Sequence, residues 1–172
     1  MTWAAVSSYC GYPETPTFYE YGTTVVYQGD TVYIDGQPAY SAEQYAQWAT
    51  EIANSGRAAQ PPENEEWQPL GVFALVRGEE QTSDKIFQLA VNKDGVIRGN
   101  YYDAFADNTL PVYGSVYSKT RRAAWSIGDK KDVVFEAGIA NLTRDETPIL
   151  VHYGTGNTQQ FTLIRLQQPK GD

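Results

Sequence analysis

Hydrophobic and polar positions alternate over most of the chain beyond residue 70. Runs over 71–77, 86–92, 96–103, 111–117, 122–128, 133–142, 148–154 and 159–167 are each bounded by Gly, Asp, Asn, Ser or Thr. Period-two runs of this length mark β-strands. Every connection between them is short, so sequence neighbours are expected to pair antiparallel. Eight such strands close most simply as an up-and-down barrel, because closure removes exposed edges. Hairpin loops then alternate between two ends. "NKDG", "YSKT" and "TRDE" fall at one end and are tight. "GEEQTSD", "AFADNTL", "GDKKD" and "GTGNT" fall at the other, where any mouth is expected.

The pattern upstream is different. Residues 21–56 carry short β runs over 23–27 and 31–34, then an Asp35-Gly36 turn toward a third run over 37–40. "SAEQYAQWATEIANSG" follows with helical spacing. Ser41 is its N-cap candidate, and Gln44 three residues on completes a capping box. Tyr45, Trp48, Ala49 and Ile52 form an apolar stripe, and Gly56 reads as the stop. A hairpin and one helix bury too little to fold alone. The unit is expected on the barrel's outer wall, over its mouth, or against a second copy of the chain. Residues 1–20 lack periodicity and read as a flexible arm. Residues 57–70 read as a Pro-rich acidic linker, 71–167 as the barrel and 168–172 as a tail.

Composition sharpens this picture. The 172 residues include 41% hydrophobic and 13% aromatic side chains, a globular composition. Net charge is −8. Residues 1–70 hold one cation, Arg57, against nine acids, and residues 71–172 are balanced. No phosphate-neutralising surface is evident, which argues against nucleic acid and anionic membrane as partners. The lone Cys10 permits no intrachain disulfide and no cysteine-based metal site. No apolar run has the length of a membrane-spanning helix. "MTWAAVSSYC" has neither the cationic start nor the apolar stretch of a signal peptide. Either the protein is cytoplasmic or the chain is part of something longer, and the "SSYCGYPETPTF" start favours the second.

Two resemblances carry expectations. "DGVIRGNYYD", "PVYGSV", "AAWSI" with "VVFEAGI", and "PILVHYG" stand in the order of the avidin family of biotin-binding, calycin-like barrels, across most of 71–167. The chain resembles that family in pattern. Its third-strand tyrosine would be Tyr101, its first cavity tryptophan Trp125, and its next tryptophan Phe135. The first-strand polar residues that hold the biotin ureido oxygen have no counterpart in "GVFALVR", so biotin itself is not expected. "YGTTVVYQGDTVYIDGQPAYSAEQYAQWA", followed by "RAAWSIGDKKDVVFEAGIANLTRDETPILVHYG", is similar to bacterial cell-surface proteins labelled mu-protocadherin-like. That likeness implies an exported, surface-associated origin. Nothing in the chain looks like cadherin calcium-binding sequence.

Candidate chemistry is sparse. His152, the only histidine, is out of phase with Ile149, Val151 and Tyr153 and is expected to face outward or line one wall, as a surface or structural histidine. Asp103, Asp107, Asp129 and Asp132 gather at the mouth end, where carboxylate pairs could serve hydrolysis. They sit on turns, where Asp bonds its own backbone. Glu136 is out of phase with Phe135 and is expected outside. Lys119, Arg121 and Arg122 lie at the opposite end from Lys130 and Lys131, so they form no single basic patch. "NLT" at Asn141 has the glycosylation pattern, which carries no weight if the source is bacterial. Tyr101, Trp125, Phe135 and Tyr153 are the inward aromatics near the mouth, either filling the barrel or lining a cavity. The leading expectation is a non-enzymatic binding or interaction domain without metal or cofactor, taking a protein partner. The alternative is a carrier of a small apolar ligand, with Tyr101, Asp103, Trp125, Phe135 and Tyr153 at the site. A carboxylate-dependent hydrolase comes third, since no activated nucleophile or base is visible.

Overall fold

The computed structural model describes residues 2–78 and 83–167. Part of the "GEEQTSD" loop and the 168–172 tail lie outside the described residues. The expected barrel is present. Eight antiparallel strands close it, from β4 (Gln68–Val76) through β5 (Lys85–Val91), β6 (Val96–Asp103), β7 (Asn108–Tyr117), β8 (Arg122–Ile127), β9 (Lys130–Gly138), β10 (Glu146–Tyr153) and β11 (Thr158–Arg165). Each strand pairs with its sequence neighbour, and β11 returns to β4 with Leu163 opposite Leu75. The run expected over 133–142 is a strand only to Gly138. A 3-10 turn, Ala140–Thr143, follows it.

The interior is filled by side chains. Phe73, Phe87, Leu89, Ile97, Val112, Trp125, Phe135, Ile149 and Leu163 belong to one buried cluster. At the tight-turn end, Leu142 of the 3-10 turn and Val6 join the same cluster. Val6 lies on α1 (Trp3–Cys10), within the stretch expected to be a flexible arm. The expectation missed local signals that were present. The Thr2 side chain accepts from the Ala5 amide at the start, and Gly11, at φ 76°, ends the helix. Trp3, Val6 and Cys10 share the face that meets the barrel. The Cys10 thiol reaches the Asn92 carbonyl at 3.7 Å.

The hairpin unit also has the expected form. β1 (Val25–Gln28), β2 (Thr31–Ile34) and β3 (Gln37–Ser41) make a separate antiparallel sheet. Asp35 (φ 53°) and Gly36 (φ 80°) form the turn between β2 and β3, both in the left-handed region that primed hairpin turns require. α2 (Ala42–Ala58) starts at Ser41, whose hydroxyl accepts from the Gln44 amide. Of the three places open to this unit, it takes the outer wall. Ala49, Ile52 and Ala53 pack on Ala124 of β8 and Val134 of β9. Val25, Val32 and Tyr45 pack with Leu150 of β10. β8 is therefore buried on both faces, which is why "RAAWSI" does not alternate cleanly.

Gly56 is not the helix stop, since α2 runs on to Ala58. Its role is close approach. A Cβ there would lie 1.7 Å from the Gly114 carbonyl oxygen on β7. Gly56→Ala separates the two readings by sign. Helix propensity alone would stabilise by about 1 kcal/mol. The forced separation of α2 from the wall costs about 1–3 kcal/mol. Thermal unfolding of Gly56→Ala is expected to show a lowered Tm, and a raised Tm would contradict the close-approach account.

Candidate functional site

Strand register builds a charged cluster on the outer wall. Glu136 stands opposite Ala124 on one side and Leu150 on the other. Arg122 is two residues before Ala124 and His152 two after Leu150, so all three lie on one diagonal of the outer face. The Arg122 Nε donates to Glu136 Oε2. The other carboxylate oxygen, Oε1, is 2.7 Å from His152 Nε2, which donates to it. His152 Nδ1 meets the Thr158 hydroxyl at 2.8 Å. Arg122 also donates to the Tyr45 carbonyl at 3.1 Å, and its guanidinium lies 3.8 Å from the Tyr45 ring centroid. Thus the first charge on β8 is tied to both β9 and α2.

Glu136 and His152 are both 0% exposed. The outward phase expected for them is correct, and of the two roles open to His152, surface or structural, it takes the structural one. α2 and the small sheet cover that part of the wall. Burial would raise the Glu136 pKa, but the Arg122 charge and the hydrogen bonds from His152 and Arg122 outweigh it and hold it below the usual value. Burial would lower the Arg122 pKa, yet the Glu136 charge raises it well above the usual value. Tyr21 and Tyr45 place buried hydroxyls without a hydrogen-bond partner around this cluster. Burial, then the Glu136 charge, pushes both phenols up.

Beside the cluster opens a groove of about 590 Å³. α2 supplies Tyr45, Trp48, Glu51 and Ser55, β3 supplies Tyr40, and β7 ends at Tyr117 on its far side. Arg122 lies at its base and Tyr19 on its edge. The helix sets the spacing, because Trp48, Glu51 and Ser55 recur three and four residues apart on one face. Tyr40 and Trp48 meet edge-on at 4.7 Å between ring centroids. The Tyr19 hydroxyl donates to the Thr120 carbonyl at 2.7 Å. Asn141 clamps the same segment, accepting from the Tyr19 amide and donating to its carbonyl. Asn141 is buried, so its "NLT" motif serves packing and presents no acceptor for a sugar.

The residues expected at the barrel mouth divide. Tyr101, Trp125 and Phe135 do come together around Phe87, at 5.2, 5.9 and 5.0 Å between ring centroids. Trp125 and Phe135 are stacked at 11° and buried. Asp103 and Tyr153 lie outside that cluster. Asp103 Oδ1 accepts from the Phe105 and Ala106 amides and so holds the β6–β7 turn. Tyr153 is exposed at the end of β10. Among the described residues no group of His, Cys, Asp or Glu could hold a metal ion. No described helix is long and apolar enough to cross a membrane.

Fold and groove define the class: a closed eight-strand antiparallel barrel carrying a helix-and-sheet layer on its outer wall. No family model, curated protein or solved structure matches the chain.

Arg122→Met leaves the Glu136 carboxylate buried without its cation and is expected to cost about 3–5 kcal/mol in chemical denaturation. Arg122→Met with Glu136→Leu is expected to recover most of that loss, because an apolar pair needs no counter-charge. The acid branch has a defined sign. Glu136 has a folded pKa below its unfolded value of about 4.3. Its contribution is complete above that pH and is lost as pH falls through the folded value. Urea midpoints between pH 6 and pH 2 are expected to show a shallower acid slope in Glu136→Gln than in the wild type.

Proposed function

We propose that this chain is a non-catalytic binding domain of an exported or cell-surface bacterial protein, and that it recognises its partner through the aromatic groove on the barrel's outer wall. The observation that carries this reading is the lining of the groove. Tyr40, Trp48 and Tyr117 are the side-chain types that dominate binding hot spots, and they flank an open cleft of ligand-accommodating size. Glu51 on the rim makes no ion pair among the described residues. The groove therefore suits a partner segment that combines an apolar or aromatic side chain with a neighbouring positive charge. The exported origin rests on the sequence resemblance alone.

Catalysis has little support. Glu136 and His152 are a recognisable acid–base pair, but both are enclosed, and Arg122 occupies the carboxylate. The carrier reading keeps one observation: the Trp125 Nε1–H is buried inside the barrel with no acceptor. Against it, the same indole is packed between Phe87 and Phe135.

An NMR screen of ¹⁵N-labelled protein against short aromatic–basic peptides and small apolar ligands separates these readings. The expected result is shifts at the Trp48 indole and Tyr117 amide with the peptides, abolished in Trp48→Ala. Shifts confined to Tyr101, Trp125 and Tyr153 with apolar ligands would replace the groove with the barrel interior.

A further inference from the structure

The sole cation of the first 70 residues does not rest against any of that segment's nine acids. Arg57, in the last turn of α2, lies over the ring of Tyr113 at 4.6 Å from its centroid. Arg98, opposite Tyr113 in the β6–β7 pairing, lies over the same ring at 5.1 Å. Two guanidiniums thus converge on one phenol. Neither has a carboxylate within ion-pair distance among the described residues. The two like charges repel each other, and no neighbouring carboxylate among the described residues offsets that repulsion.

Their existing partners are all neutral. Arg57 donates to the Ser126 hydroxyl at 2.7 Å, and its Nε is buried with no partner. Arg98 donates to the Ile97 and Ala59 carbonyls at 2.9 Å each. Each guanidinium carries five N–H donors, so most are unused. The α2 C-terminal dipole and the Tyr113 ring supply only partial negative charge. Burial lowers the Arg98 pKa, Tyr113 opposes that, and the Arg57 charge lowers it further.

Arg98 also forms one wall of a second cavity, of about 460 Å³, on the outer face of β4–β6. Trp67, Val72, Leu89 and Leu166 are apolar residues of its lining, and Arg165, Gln88 and Asn100 are polar residues of the same lining; Arg165 lies 3.8 Å from the Asp145 carboxylate. A cationic wall beside an apolar hollow of that volume matches a small acid with a hydrocarbon body.

We infer that this hollow is a second binding site, separate from the aromatic groove, and that it takes a small apolar carboxylate whose head group pairs with Arg98. The carboxylate accepts from the unused Arg98 donors and offsets the repulsion between Arg98 and Arg57. The hydrocarbon body lies against Trp67.

Titration calorimetry on the full chain with decanoate tests this, with decanol and decyltrimethylammonium as probes of the same length. Decanoate is expected to bind at least ten-fold more tightly than either, and to shift the Trp67 indole signal. Arg98→Gln is expected to weaken decanoate ten-fold or more and to leave decanol unchanged, with folding checked by thermal unfolding. Should Arg98→Gln fail to fold, Trp67→Ala, expected to weaken decanoate and decanol alike, and the wild-type comparison of decanoate with decanol decide the matter. Equal affinity for decanoate and decanol, no binding of decanoate, or shifts at Trp125 in place of Trp67 would each overturn the site. None of these outcomes bears on Trp48, so the groove stands or falls by its own test.

Discussion

A carboxylate buried under a helix governs how this molecule is put together. Glu136 is fully enclosed on the outer wall of the barrel, and a buried carboxylate is tolerable only if its charge is met. Arg122 and His152 meet it from the adjoining strands β8 and β10. Arg122 in turn lies on Tyr45 and donates to that residue's carbonyl, so the charge cluster also fixes where α2 begins to cross the wall. At the other end of the helix, Gly56 sits against Gly114 with no room for a side chain. Between those two points the small residues Ala46, Ala49 and Ala53 let the helix lie close to the sheet. The groove and the Arg57–Arg98 pair both follow from this placement. One opens beside the helix at Trp48 and Tyr40, and the other forms where its last turn reaches Tyr113.

The barrel was legible because its physics is local. Alternation, Asp-Gly turns and short connections specify antiparallel neighbours, and closure follows from the cost of open edges. The hairpin and α2 were legible for similar reasons, through Asp35-Gly36 and the Ser41 cap. α1 was missed even though Thr2 and Gly11 mark its ends. Eight residues give too few turns for periodicity to stand out beside the Pro-rich text that follows. Gly56 was misread because a helix stop and a close-packing glycine look alike until the surface that the helix crosses is known.

The groove was not legible, and the reason is tertiary. Tyr40, Trp48 and Tyr117 lie on three separate elements whose meeting depends on which side of the barrel α2 chooses. The outward phase of Glu136 and His152 could be read from alternation. Their burial could not, because it depends on a layer contributed from a hundred residues upstream. A hint did exist in "RAAWSI", where an apolar run on a strand that begins with Arg implies cover on both faces. The mouth residues show the converse. Tyr101, Trp125 and Phe135 were placed correctly as neighbours, yet their shared packing around Phe87 is that of a core.

Joined through Glu136 and its partners, the N-terminal layer and the barrel form one cooperative body. Native-state hydrogen exchange measures this directly, by comparing amides of α2 between Ala46 and Ala53 with those of β8. The account predicts that both sets exchange only through global unfolding, with the same free energy and the same dependence on denaturant. Exchange of the α2 amides a thousand-fold faster than β8, at native conditions and with little denaturant dependence, would show a layer that lifts off the barrel independently and would contradict it.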